Sequence, residues 1–300
     1  MRRKNWFLMT GFTSLILTMF VLKNSMDKTH TITGIYTFGD SLSDTGMVFQ
    51  ATGRMYPPNP TYFQGRYSNG RVWSEYLSDR LHLSSKQTNN FAYGGATTGA
   101  TSNSYVPSLL NQVQSFTHTN KKANPDGLYV LWAGANDYLQ GVNNASVPVK
   151  NTISAINLLA DTGARKILVA NLPDLGQLPA TKSTANSANL SALTQAHNQT
   201  LRRSIKVLTQ QNPQLQIAIL DANSLYRDAM VNPAAFGLTN VMSSCLSGSS
   251  ICHNPEQFLF WDGIHPTTAA HRIIAEDAFT TIQEAGMVNS NSIQIGSIER

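Results

Sequence analysis

The chain is poor in charge: only 13% of its 300 residues are Asp, Glu, Lys or Arg. No basic stripe with interleaved aromatic residues runs through it, as a nucleic-acid face requires, so a nucleic-acid partner is excluded. The formal net charge of +5 is itself local, because Arg2, Arg3, Lys4 and Lys23 supply four of those charges. Beyond residues 1–26 the balance is close to neutral. Cysteine is scarce as well. Cys245 and Cys252 are the only two; they do not form a C-x-x-C pair and only His253 stands beside them, which is a poor ligand set for zinc. No metal and no cofactor is expected. Internal repeats and long linkers are absent too, which excludes solenoids and tandem arrays. With 41% apolar residues the chain can bury a full core, and disorder is not the default reading.

One long apolar run is present, "NWFLMTGFTSLILTMFVL", headed by "MRRK". A basic head followed by an apolar stretch at the extreme N-terminus is the arrangement of an export signal, whereas a buried helix has no use for the basic residues. No small-x-small cleavage site stands out before "KNSMDKTH", so residues 1–26 are read as a signal peptide or an N-terminal anchor and residues 27–300 as a single domain working outside the cytoplasm. In an oxidising compartment an even number of cysteines is expected to pair. A Cys245–Cys252 bridge around "LSGSSI" would add about 2 to 3 kcal/mol by the chain-entropy model; two free buried thiols are the alternative.

Along the rest of the chain, short β-branched runs alternate with helical patterns. "ITGIYTF", "NNFAYGG", "GLYVLWAG", "RKILVANLP" and "LQIAILDA" read as strands. Between and after them lie helical stretches: "RVWSEYLSDRL", "VPVKNTISAINLLADTG", "SALTQAHNQTLRRSIKVLTQQ" and a last helix with Ala270, Ile274, Ala278 and Ile282 on one face. Pro266 suits the first turn of that helix and Gly286 its stop. Strand and helix in turn predict a three-layer α/β/α sandwich around a mostly parallel, about five-stranded sheet.

In such sheets ligands collect beyond the carboxyl ends of the strands, and there the polar clusters fall: "GDSLSD", "GGATTG", "GANDY" and "NLPDLGQLP". Ser41 in the first has two readings. Either Ser41 or Asp40 caps a following helix, or Ser41 is held at the turn as a nucleophile. A serine nucleophile needs a base and the base an orienting acid, and "WDGIHP" offers Asp262 and His265 three apart in a loop before the last helix. An oxyanion needs donors. "YGGA" supplies backbone N–H groups unobstructed by a Cβ, and "GAND" supplies the Asn136 side-chain amide. The other histidines, and Trp132 and Tyr93, are read as structural.

Taken together, "FGDSLSDTG", "NFAYGGATTG", "GAND" and "DGIHP" resemble the four signature blocks of the GDSL, or SGNH, hydrolase family, in their order, from about Ile35 to the final helix. The resemblance implies Ser41 as nucleophile and Asp262 and His265 as acid and base. It also implies an oxyanion hole of the Ser41 and Gly95 N–H groups with the Asn136 amide, Gly95 being chosen over Gly94 by register. Within the family the exported chain, the "SDTG" extension and the cysteine-closed loop look most like bacterial phospholipases A, lysophospholipases and glycerophospholipid-cholesterol acyltransferases. The expected activity is hydrolysis of lipid acyl esters, of lysophospholipid or phospholipid, with a membrane surface left open as a partner. The alternatives are acyl transfer to cholesterol, carbohydrate deacetylation, or an inactive lipid- or glycan-binding protein. The cysteine-closed loop is expected to border the active-site rim and to cover the acyl pocket.

Overall fold

The computed structural model describes residues 31–99 and 105–289; the expected signal or anchor, residues 1–26, lies outside them. Five strands form the central sheet: β1 (Gly34–Gly39), β2 (Thr88–Asn90), β3 (Gly127–Trp132), β4 (Lys166–Ala170) and β5 (Gln216–Leu220). Their order is β2-β1-β3-β4-β5 and every pair is parallel. All residues of β3 and β4 are buried, the mark of a sheet covered on both faces.

Helices fill both covers: α1 (Met47–Ala51), α2 (Trp73–Arg80), α3 (Leu109–Thr119), α4 (Ala135–Leu139), α5 (Ser146–Thr162), α6 (Ser187–Gln211), α7 (Ala222–Val231) and α8 (Thr268–Glu284). The period-2 alternation of a strand sorts side chains between the layers. Leu128, Val130 and Trp132 of β3 join Trp73 and Leu77 of α2 and Ile274, Ala278 and Ile282 of α8 on one face. Tyr129 and Leu131 join Val113 and Phe116 of α3, Ile156 and Leu159 of α5 and Leu201 and Ile205 of α6 on the other. The three-layer α/β/α expectation holds.

Local boundaries differ in instructive ways. The second strand ends at Asn90, whose Oδ1 accepts the Ala92 amide at 3.0 Å as the chain turns, although Phe91 and Tyr93 still donate to the β1 carbonyls of Thr37 and Gly39. Helix α3, which the strand–helix alternation did not announce, is amphipathic and capped by the Ser108 side chain, which accepts from the Asn111 amide. Helix α8 begins after Thr267, whose hydroxyl accepts from the Ala270 amide at 3.2 Å. Pro266 therefore precedes the cap instead of opening the first turn, while Gly286 stops the helix at φ 68°, as expected of a residue past a C-cap.

Four short strands lie outside the sheet: β6 (Asn240–Ser244), β7 (Leu246–Ser247), β8 (Ser250–Ile251) and β9 (Phe258–Phe260). β6 runs parallel to β9, and β7 and β8 form a small hairpin closed by a Cys245–Cys252 disulfide with Cα atoms 4.8 Å apart. The Cys245 and Leu246 amides donate to the carbonyls of Phe260 and Trp261 at 3.0 and 2.7 Å, so the hairpin is stitched to the residues just before Asp262. Among the described residues no helix is long and apolar enough to cross a membrane.

Candidate active site

The end of β1 is built for a sharp turn. A Cβ on Gly39 would stand 2.1 Å from the Trp132 carbonyl oxygen, so only glycine fits there. Gln112 of α3 grips the same residue from both sides: its Oε1 accepts the Gly39 amide at 2.9 Å and its Nε2 donates to the Gly39 carbonyl at 2.9 Å. The chain then turns about Asp40, whose carbonyl accepts from the Ser43 and Asp44 amides and whose Oδ1 accepts from the Leu42 amide at 3.0 Å. Ser41 is left at the apex. The helix that follows starts only at Met47, and its first amides are taken by Asp44, from Gly46 at 2.7 Å and Met47 at 2.6 Å. Neither Ser41 nor Asp40 caps it.

Ser41 Oγ instead lies 2.8 Å from His265 Nε2. On the far side of the imidazole, Nδ1 lies 2.7 Å from Asp262 Oδ2 and 3.0 Å from Oδ1. The turn that carries both residues is held by Asp262 itself, whose Oδ1 accepts from the Ile264 and His265 amides at 2.9 and 2.8 Å, and by the Trp261 amide donating to the His265 carbonyl at 2.8 Å. Burial by itself pushes the Asp262 carboxyl up. The adjacent His265 charge and hydrogen bond, with the two turn amides, more than offset this and bring it down to about 2, so the group is a carboxylate at any physiological pH. A fourth donor comes from outside the turn, the Tyr62 hydroxyl at 2.8 Å from Oδ2, and the Tyr67 ring packs 5.1 Å from the imidazole.

The expected oxyanion donors come from the next two rim loops. Gly94 and Gly95 separate cleanly. The Gly94 amide is spent on Asp44 Oδ2 at 2.9 Å, and a Cβ there would enter the Tyr67 ring. Gly95 is exposed at φ 81° with open space around it. Its neighbours are pinned on both sides, Gly94 by Asp44 and Ala96 by Asn136, whose Nδ2 donates to the Ala96 carbonyl at 3.0 Å. The loop is further tied to α4 where Asp137 accepts from the Thr98 amide and hydroxyl at 2.9 and 2.7 Å.

Asp40, Ser41, Asn136 and His265 line one pocket together with Tyr226 and the apolar Leu42, Ala135, Leu139, Pro173, Leu175, Leu178 and Ile264. Gly95 is not among the lining residues, nor is any residue of the cysteine hairpin. The expectation that this hairpin covers the pocket finds no lining contact; what it does touch is the strand leading to Asp262. His197 and His271 are buried, and burial pushes the His271 imidazole down to about 3, so it stays neutral against the Trp73 amide at 3.2 Å.

Three residues of the site, Gln112, Tyr62 and Asp44, were not singled out by sequence reasoning, and Asp40 was read there only as a possible helix cap. Gln112 and Tyr62 lie on elements that carry no motif. Asp44 stood inside a quoted block, and the signal for it was present in its place two residues before a glycine and three before a helix. Asp40 is fully buried next to Ser41 with its Oδ2 unpartnered; burial raises its carboxyl to about 7 against the Leu42 amide and the His265 charge, which lower it.

Comparison with known proteins gives the family. The GDSL-like Lipase/Acylhydrolase family matches residues 35–278. The chain is 28% identical to a phosphatidylcholine-sterol acyltransferase of Aeromonas hydrophila, over 93% of this chain and 97% of that protein. It is 29% identical to the thermolabile hemolysin of Vibrio parahaemolyticus, over 87% of this chain and 69% of that one. A solved structure of a member of the lipolytic protein G-D-S-L family from Veillonella parvula is similar at a TM-score of 0.49 and 16% identity, covering 83% of this chain and 98% of that one. With its signature blocks gathered on one rim of a parallel sheet and the family matched over most of its length, the chain belongs to the GDSL-like lipase/acylhydrolase family.

Proposed function

We propose that the protein is an exported serine ester hydrolase that cleaves acyl esters of lipids, lysophospholipid or phospholipid, with residues 1–26 as signal or anchor and residues 27–300 as its one catalytic domain. The observation that carries this reading is the 2.8 Å contact between Ser41 Oγ and His265 Nε2 in a pocket that Leu42, Leu139, Leu175, Leu178 and Ile264 also line. Ser41 Oγ attacks the ester carbonyl as His265 Nε2 takes its proton. Asp262, ionised and bonded to Nδ1, holds the ring with Nε2 facing the serine and stabilises the imidazolium that forms. The oxyanion is received by the Ser41 and Gly95 amides and the second N–H of Asn136, the first being committed to Ala96. His265 then returns the proton to the leaving alcohol, and water repeats the sequence on the acyl-enzyme. The apolar side chains of Leu139, Leu175, Leu178 and Ile264 beside Ser41 offer a surface for the first carbons of an acyl chain, in a cavity of about 30 Å³.

A second reading, transfer of the acyl group to a sterol, is favoured by the likeness to an acyltransferase over 97% of that protein's length. It differs only in the acceptor that meets the acyl-enzyme. The test is release of fatty acid from lysophospholipid, diacyl phospholipid, triglyceride and an acetylated sugar, with and without cholesterol. Release from the phospholipids, lost on covalent labelling by a fluorophosphonate, is the expected result. Cholesteryl ester formation would move the assignment to transfer, and turnover of the acetylated sugar alone would overturn the lipid reading.

A further inference from the structure

The carboxylate of Asp262 is held unevenly. Its Oδ1 accepts two amides of its own turn, from Ile264 and His265. Its Oδ2, the oxygen nearer His265 Nδ1 at 2.7 Å, has one other donor, the hydroxyl of Tyr62 at 2.8 Å, and this donor comes from 200 residues earlier in the chain. Tyr62 lies between α1 and α2, half-buried, with its ring edge-on to Trp261 and to Tyr67, each at 6.4 Å. It is not part of the pocket wall. We infer that Tyr62 is a positioning residue for the reaction: its hydroxyl pins the plane of the Asp262 carboxylate so that Oδ2 stays aimed at His265. The inference rests on the proposed roles of Ser41, His265 and Asp262.

The chemistry runs in two parts. The amides on Oδ1 and the imidazole Nδ1 all belong to the same short turn as Asp262, and the Tyr62 hydroxyl ties Oδ2 to a separate segment of the chain; orientation of the acid in turn fixes the imidazole. Burial, the Asp262 charge and the hydrogen bond all push the Tyr62 phenol up, so it stays protonated and acts as a donor only. A donor on Oδ2 also draws off part of the negative charge that faces the imidazole. Without it the carboxylate attracts the imidazolium more strongly, and the base is lost to protonation at a higher pH. The other ionisable groups near the pair are Tyr56 and Tyr67 beside Tyr62, Asp40 beside the nucleophile and buried His271 of α8, none of which a change at Tyr62 alters chemically.

The test uses the full-length protein on a short nitrophenyl ester, with Tyr62→Phe and Ser41→Ala compared across a range of about pH 5 to 9. For Tyr62→Phe, kcat should fall about tenfold with KM unchanged, since a charge-assisted hydrogen bond to the acid is lost and no wall of the pocket is. The acid limb of kcat/KM should move up by about half a pH unit. Difluorotyrosine at position 62, a near-isostere and a stronger donor, should move that limb down, and it provides the decisive measurement should Tyr62→Phe fail to fold. An inactive Ser41→Ala beside a Tyr62→Phe of wild-type kcat, or a Tyr62→Phe with lowered kcat and an unmoved limb, would overturn the positioning role alone. An unmoved limb with difluorotyrosine would do the same. A Ser41→Ala that keeps its activity would overturn the serine mechanism and this inference with it.

Discussion

Asp44 is the clasp between the serine turn and the glycine loop: its Oδ2 accepts the Gly94 amide at 2.9 Å while its Oδ1 takes the amides of Gly46 and Met47. Buried and acceptor-only, it joins two segments 50 residues apart. Asp44→Ala strands these amides in the interior, and each unsatisfied buried donor costs about 1 to 3 kcal/mol. We expect a loss of about 3 kcal/mol or more in urea unfolding and a fall in kcat as the loop carrying Gly95 drifts. Asp44→Asn should be intermediate, since it keeps one acceptor oxygen but turns an NH2 toward donors. Wild-type stability for Asp44→Ala would show that solvent replaces the clasp.

The serine and its donors should separate by magnitude. Ser41→Ala should fold normally and lose turnover by a factor on the order of 10⁶ if the three residues act as one unit. Asn136→Ala should cost about 10² to 10³ in kcat, because backbone donors remain, with part of the loss coming from the freed Ala96 carbonyl. A Ser41→Ala enzyme retaining a tenth of its activity would remove the serine mechanism from consideration.

The buried Asp40 makes stability depend on pH in a direction opposite to that of most carboxylates. Its carboxyl is raised from 3.8 to about 7 in the fold, so the native state binds the proton more tightly than the unfolded chain. The contribution is fully present below about pH 3.8 and is lost as pH rises to about 7. Asp40→Asn stays neutral and can still accept from the Leu42 amide. Relative to wild type, the variant should gain stability between these limits, by on the order of 4 kcal/mol, and no further above them. Chemical unfolding at closely spaced pH values measures the gap; a constant difference across the window would mean that Asp40 titrates normally.

The cysteine ring should behave as a staple. Closing so short a segment contributes about 2.5 kcal/mol by chain entropy, and the hairpin hands that restraint to the strand before Asp262 through the Cys245 and Leu246 amides. Since no ring residue lines the pocket, reduction should lower the melting temperature and depress activity on a nitrophenyl ester and on a lysophospholipid in equal proportion. A selective change for the lysophospholipid would instead make the hairpin a gate.

What the sequence determined by itself is whatever depends on neighbours along the chain. Alternation and helical period place β1, β3, β4 and β5 and the long helices, because each pattern is a property of a dozen consecutive residues. Asp262 and His265 were legible as a pair because their contact closes a turn of three residues. The glycine block was legible as a loop of accessible amides, although only the Asp44 contact explains why the Gly94 amide is occupied. Tertiary structure alone decided the rest. Gln112 meets Gly39 across 73 residues, Tyr62 meets Asp262 across 200, and the pocket takes Leu139, Pro173, Leu175, Tyr226 and Ile264 from four separate segments. No periodicity encodes such meetings, since they arise where layers packed for the burial of other side chains bring distant loops to the same rim. "NLPDLGQLP" makes the point: read as a polar cluster on that rim, it turns Pro173, Leu175 and Leu178 into the pocket, because α6 and the "DGIHP" turn close over its polar side, with Ser191 on Asp174 at 2.6 Å and the Ala180 amide on the Gly263 carbonyl at 2.9 Å.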